Sequence, residues 1–182
     1  MIYEAKKMAM SATGGLLIAA LIISSVVLTG IQPTTGAKGL LIINVKDDPA
    51  MLEELWINIS AVKVHRAGEG NETWTDIPVV ATDPFDLLLL EDVSTVLAAG
   101  ELPVGNYTEI RFCIANAWAN TTENPHQSLY IVANGWMMVK VHFTIEETPI
   151  TSVLIDIEVN EQPILSSGKL HPVVKATVDY VE

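Results

Sequence analysis

The chain predicts a mainly β fold, an antiparallel β-sandwich behind one N-terminal transmembrane or signal helix, on three observations. No charged residue occurs between Lys7 and Lys38, although the chain as a whole carries 22 acidic and 10 basic residues. Beyond Gln32 the sequence breaks into about seven short runs of alternating apolar and polar residues, separated by Gly, Pro, Asn and Asp. No long stretch of helical period alternates with those runs, which disfavours a parallel α/β arrangement and favours packed antiparallel sheets.

The apolar segment comes first. Residues 8–31 include Gly14-Gly15-Leu16-Leu17-Ile18-Ala19-Ala20-Leu21-Ile22-Ile23 and Ser24-Ser25-Val26-Val27-Leu28, close to the roughly 20 apolar residues a helix needs to cross the hydrocarbon of a bilayer. Ser24 and Ser25 fit such a helix because their hydroxyls can bond back to its own carbonyls. Lys6 and Lys7 precede the segment, and by the positive-inside tendency they hold the N-terminus in the cytoplasm and send the rest outward. Two fates stay open: retention as a single-pass anchor, or cleavage near Lys38 after Pro33 and the small residues Thr35-Gly36-Ala37, followed by secretion. A third resembles archaeal pilins, in which a basic pair such as Lys6-Lys7 precedes the apolar helix and a dedicated peptidase cuts beside it. Here Met8 stands where a small residue is expected. The organisation that follows is 1–32 as signal-anchor or signal helix, 33–38 as linker and 39–182 as one extracytoplasmic domain, since the length leaves no room for a second.

The strands are expected as follows. Gly39–Val45 is an apolar run of strand length. Leu55–His65 buries Leu55, Ile57 and Ile59, then changes phase to Val62 and Val64, which predicts a bulge at Ser60-Ala61. Tyr107–Ala115 turns Thr108, Ile110, Phe112 and Ile114 to one face, with Glu109, Arg111 and Cys113 on the other. Asn134-Gly135 is the strongest two-residue hairpin signal, so Ser128–Ala133 and Trp136–Ile145 are expected to pair antiparallel through a type I′ turn. The second of these directs Met137, Val139, Val141, Phe143 and Ile145 inward and Lys140, His142 and Thr144 outward. Ser152–Val159 buries Val153, Ile155, Ile157 and Val159; Val173–Val181 buries Val174, Ala176, Val178 and Tyr180. Val93–Ala99 and Ala50–Glu54 look like short helices.

Charge excludes one function class. Residues 1–37 hold Lys6, Lys7 and Glu4, so the outer domain has 8 basic and 21 acidic residues, about −13. That field repels nucleic-acid phosphates and anionic lipid, so no nucleic-acid partner is expected. The one cysteine, Cys113, has no intramolecular disulfide partner and lies far from the position of a lipoprotein cysteine.

Catalytic and metal signatures are absent from the sequence. His65, His126, His142 and His171 show no metal-ligand spacing, Ser166-Ser167-Gly168 lacks a nucleophile elbow, and there is no phosphate-binding glycine loop. No catalytic residue and no cofactor is expected. Calcium is the one metal with candidate ligands, the carboxylates of Asp47, Asp48 and Asp86 near strand ends, which serve equally as turn formers. Four sequons begin at Asn58, Asn71, Asn106 and Asn120, which suits an exported glycoprotein; Asn71 and Asn120, in polar loops, are the preferred acceptors. Trp56, Trp74, Trp118 and Trp136 either fill the core and sheet edges or line a platform on which sugar rings stack.

One pattern runs through nearly all of the outer domain: Gly39, Asp48-Pro49, Trp74, Asp86-Leu87-Leu88, the stretch Leu102-Pro103-Val104-Gly105-Asn106-Tyr107-Thr108-Glu109-Ile110-Arg111, Asp156 and Leu170-His171-Pro172-Val173. It resembles domain-of-unknown-function family 4382. The resemblance implies an exported protein of archaea or bacteria with a carbohydrate-binding-like or transthyretin/immunoglobulin-like sandwich, and it implies no catalytic residue. Members commonly follow a lipoprotein signal, which this chain lacks, so a helical anchor or a cleaved signal is the expected export route.

The function expected from all of this is a non-catalytic cell-surface or secreted module that binds a ligand, a glycan among them, or a neighbouring surface protein. The alternative is a structural subunit of an extracellular filament, a homo-oligomer built by helix bundling or strand exchange.

Overall fold

Period-two burial becomes sheet structure over most of the chain beyond Gly36 in the computed structural model, which describes residues 36–47, 52–68, 73–90, 93–121 and 125–181. The chain divides into two units, Met1–Gly36 and Ala37–Glu182, and the second is described here. The apolar segment at 8–31 lies outside the described residues, as do Asp48 and Asn71. No helix among the described residues is long and apolar enough to cross a membrane.

The strands among the described residues are β1 Lys38–Asp47, β2 Glu54–Arg66, β3 Trp74–Ile77, β4 Phe85–Asp86, β5 Thr95–Pro103, β6 Gly105–Asn120, β7 Gln127–Ser128, β8 Tyr130–Ile131, β9 Trp136–Ile145, β10 Ile150–Val159, β11 Lys169–Leu170 and β12 Pro172–Val181, with a short α-helix, α1, at Glu161–Ser167. One sheet has the order β12-β10-β1-β5; a second runs β3-β2-β6-β7, with β4 also on β2 and β9 also on β6; β8 and β11 form a small parallel pair. Inward residues of both large sheets join one core, among them Leu41, Ile43, Val153 and Ile155 from the first and Leu55, Val64, Ile110 and Phe112 from the second.

Three expectations are corrected. The sheets are not purely antiparallel: β1 and β10 pair in parallel, from Leu41 opposite Thr151 to Asp47 opposite Ile157. A strand flanked on both edges tolerates a nearly unbroken apolar run, and Leu40–Val45 is one, with Leu41, Ile43 and Val45 fully buried and Leu40 and Asn44 half-buried. Val93–Ala99 is not a helix but enters β5, because β1 offers it an edge from Lys38 opposite Pro103 to Val45 opposite Thr95. The hairpin at Asn134-Gly135 does not form. Ala133, Asn134 and Gly135 do have positive φ, but the turn is a jog along one edge of β6: β7 pairs with Trp118 and Ala119, and β9 pairs with Gly105 through Cys113. Gly135 is required there, since a Cβ would stand 2.3 Å from the Ile114 carbonyl oxygen. Of the Ala50–Glu54 helix, residues 50 and 51 lie outside the described residues, and Glu54 already belongs to β2.

The alternation within single strands behaves as expected. Met137, Val139, Val141, Phe143 and Ile145 are buried on β9, and Val153, Ile155 and Ile157 on β10, with Val159 half-buried. On β12 the inward residues Val174, Ala176 and Val178 are half-buried, but Tyr180 is exposed, its hydroxyl oxygen accepting from the Thr144 amide. Thr108 also departs: a register shift between Tyr107 and Glu109 against β9 buries Tyr107 and leaves Thr108 half-buried.

Candidate functional site: the tryptophan face

None of the four tryptophans is in the core, although burying an aromatic side chain of about 150–250 Å² contributes roughly 4–6 kcal/mol at about 25 cal/mol per Å². The reason lies in the bulges of β2 and β6. In β2 the register shifts between Asn58 and Ile59 and again before Ala61; opposite it, β6 shifts between Ile114 and Asn116. One extra residue reverses the alternation of everything beyond it. Val62 and Val64 therefore point inward while Trp56, also at an even position, points outward. On β6 the outward set changes from Arg111 and Cys113 to Asn116 and Trp118. The bulge expected at Ser60-Ala61 is thus the device that collects the aromatic rings on one outer face.

Two clusters result. At one end Trp56 stands opposite Trp118, with ring centroids 5.9 Å apart and planes within 2° of parallel. Glu54 fixes them: its Oε2 accepts from Trp56 Nε1 at 3.0 Å and from Asn120 Nδ2 at 2.6 Å. Asn120 Oδ1 in turn accepts from the His126 amide at 2.7 Å, and the His126 ring lies 5.4 Å from that of Trp118. Rings held this way lose little rotamer entropy when something binds them.

At the other end Trp74 of β3 and Trp136 of β9 flank Arg111, whose Cζ is 3.8 Å from the first ring centroid and 5.2 Å from the second. His65 sits 5.2 Å from Trp74, and Trp136 keeps 37% of its surface exposed. Seven positions along β6 separate Arg111 from Trp118, on the order of 20 Å at about 3.3 Å per residue.

Between the clusters lies an open concavity of about 650 Å³. Its lining includes Asn58, Asn116, Asn134, Trp118 and Tyr130, and no charged side chain among the described residues. The jog before β9 creates it, because β7 and β9 leave the edge of β6 between them uncovered by a strand. Carboxamides each offer donors and an acceptor, and beside aromatic faces they suit a neutral, hydroxyl-rich ligand.

The motif Leu102–Arg111 is mostly architecture. Leu102 is fully buried, and Tyr107, 1% exposed, donates its hydroxyl to the Pro103 carbonyl at 2.9 Å. Gly105 has φ +150°, and a Cβ there would lie 2.8 Å from the Arg66 guanidinium, which donates to the Val104 carbonyl at 2.7 Å. The corner starts β6 in register, and the motif ends on Arg111 at the tryptophan face.

The remaining candidates are scattered. Asp47 is buried at 1% exposure. Asp86, 8% exposed, uses Oδ1 to accept from the amides of Leu55 at 3.0 Å and Leu88 at 3.2 Å, so it ties β2 to the 3-10 turn at Leu87–Leu90. Among the described residues no three His, Cys, Asp or Glu side chains converge as a metal site. Asp86→Ala is expected to lower unfolding free energy by about 1–3 kcal/mol by leaving two amides without an acceptor, whereas Asp86→Asn, which retains one, stays within about 1 kcal/mol; urea denaturation separates the two. Asn58 donates Nδ2 to the Thr82 carbonyl at 3.1 Å, Asn106 is exposed and accepts from the Thr144 hydroxyl at 2.9 Å, and Asn120 belongs to the indole network. Sequence reasoning assigned no site role to Asn116, Asn134, Tyr130 or the clamped Arg111; the phase change around Ala115 was the available signal for the first.

A family model described as a domain of unknown function, DUF4382, matches residues 38–170. No curated protein and no solved structure matches the chain.

Proposed function

We propose, for a chain that belongs to the DUF4382 family of domains of unknown function, that it is a non-catalytic binding module displayed outside a membrane, with its tryptophan face holding a carbohydrate chain. The observation that carries this reading is the placement of Trp56, Trp74, Trp118 and Trp136 on one outward sheet face, two on either side of an amide-rimmed concavity. Indoles stack on the apolar faces of sugar rings, and carboxamides satisfy the hydroxyls at their edges. We read the two large sheets around one core as a sandwich of the transthyretin/immunoglobulin-like kind, and residues 8–31 as the segment that exports the domain and either anchors it or is removed near Lys38.

The test is a glycan array followed by calorimetry on the hits. Trp56→Ala and Trp118→Ala are each expected to weaken binding at least tenfold, about 1.4 kcal/mol, while shifting the urea midpoint far less than a core truncation does. An array with no response, or variants that bind as the parent does, would remove the tryptophan face as a sugar site.

A further inference from the structure

Arg111 is placed as though to receive an anion. Stacking between Trp74 and Trp136 holds its guanidinium by cation–π attraction, but that attraction satisfies none of its five N–H donors. Nε is buried without a hydrogen-bond partner among the described residues.

Two carboxylates on the same face have other partners, and a third makes no ion pair with Arg111 among the described residues. Asp76 Oδ1 is 2.9 Å from Lys63 Nζ. Glu54 accepts from Trp56 and Asn120. Glu109 stands opposite Lys140 on β9 and opposite His65 on β2. No ion pair to Arg111 occurs among the described residues, in a chain with 22 acidic side chains. A guanidinium immobilised between two rings has lost most of its rotamer freedom already, so pairing with a planar carboxylate through its fork costs little further ordering.

We propose that Arg111 is the charge-reading group of this face and that its ligand is an acidic saccharide whose uronate carboxylate meets the guanidinium while neighbouring rings run past Cys113 into the concavity. The inference rests on the carbohydrate reading above. The acidic surface that repels nucleic acid also disfavours a long polyuronate, so the ligand is a short oligomer read at one carboxylate, within the Debye length of about 8 Å around Arg111 at physiological ionic strength.

The full chain would be titrated with an oligogalacturonate and with its carboxyl-reduced, neutral counterpart. The acidic oligomer is expected to bind about tenfold tighter or better, and the preference to shrink as salt rises from about 0.05 M to about 0.5 M. Arg111→Met, whose apolar stem still fits between the indoles, should bind both oligomers as weakly as the parent binds the neutral one; Arg111→Lys, which keeps the charge but not the fork, should retain part of the preference. Equal binding of the two oligomers by the parent would overturn the role of Arg111 and leave the carbohydrate reading standing. Binding of neither would overturn both. The comparison of oligomers and salt on the parent protein decides the matter even if Arg111→Met does not fold.

Discussion

Gly39→Ala is expected to lower the unfolding free energy of the β domain by about 3 kcal/mol or more, the upper end for forcing atoms into a packed interior. A Cβ at Gly39 would stand 1.7 Å from the Glu146 carbonyl oxygen and 2.8 Å from its carbon. Both are backbone atoms, so no side-chain rotation relieves the overlap, and the segment joining β9 to β10 must move. Gly39 is therefore present for close approach: β1 passes under that connection on its way to pairing with both β5 and β10. Urea denaturation should show a lower midpoint with an unchanged slope. A variant as stable as the parent would mean that β1 does not take this path.

Phe112→Ala is expected to cost about 3–5 kcal/mol, the range for removing a fully buried aromatic ring. Phe112 is 0% exposed and lies on β6 between the outward residues Arg111 and Cys113. Its loss opens a cavity directly behind the strand that carries Arg111 and Trp118, so the effect reaches the face as well as the core. The near-ultraviolet circular dichroism of the tryptophans should weaken in parallel with stability. Trp118→Ala provides the contrast: it removes an outward ring, leaves the core intact, and is expected to change binding more than folding. If Phe112→Ala and Trp118→Ala destabilised the domain equally, the division into an inner packing face and an outer binding face would be wrong.

Phe112 and Trp118 lie on opposite sides of one sheet, and the sequence announced the inner side far better than the outer. Alternation over Trp136–Ile145 predicted every inward residue of β9, because burial on one face of a strand is a local pattern with a period of two. The change of phase after Ile59 announced the bulge in β2 for the same reason. By contrast, Asn134-Gly135 signalled a turn correctly but misled about what the turn joins. The local backbone preference was satisfied, with positive φ at both residues, while β9 paired with β6, an earlier strand reached across the sheet.

Composition and periodicity by themselves determined that this is a mainly β domain of acidic surface and which residues of most strands face inward, both of which depend on neighbours in sequence or on side-chain chemistry alone; the residue pattern from Gly39 to Val173 carried the family resemblance. Tertiary structure decided which strands pair, that β1 and β10 run in parallel, and that four tryptophans and Arg111 share one outer face. Those outcomes depend on contacts between residues far apart in the chain and on the bulges of β2 and β6 falling opposite one another, and no pattern within a single strand records what will lie beside it.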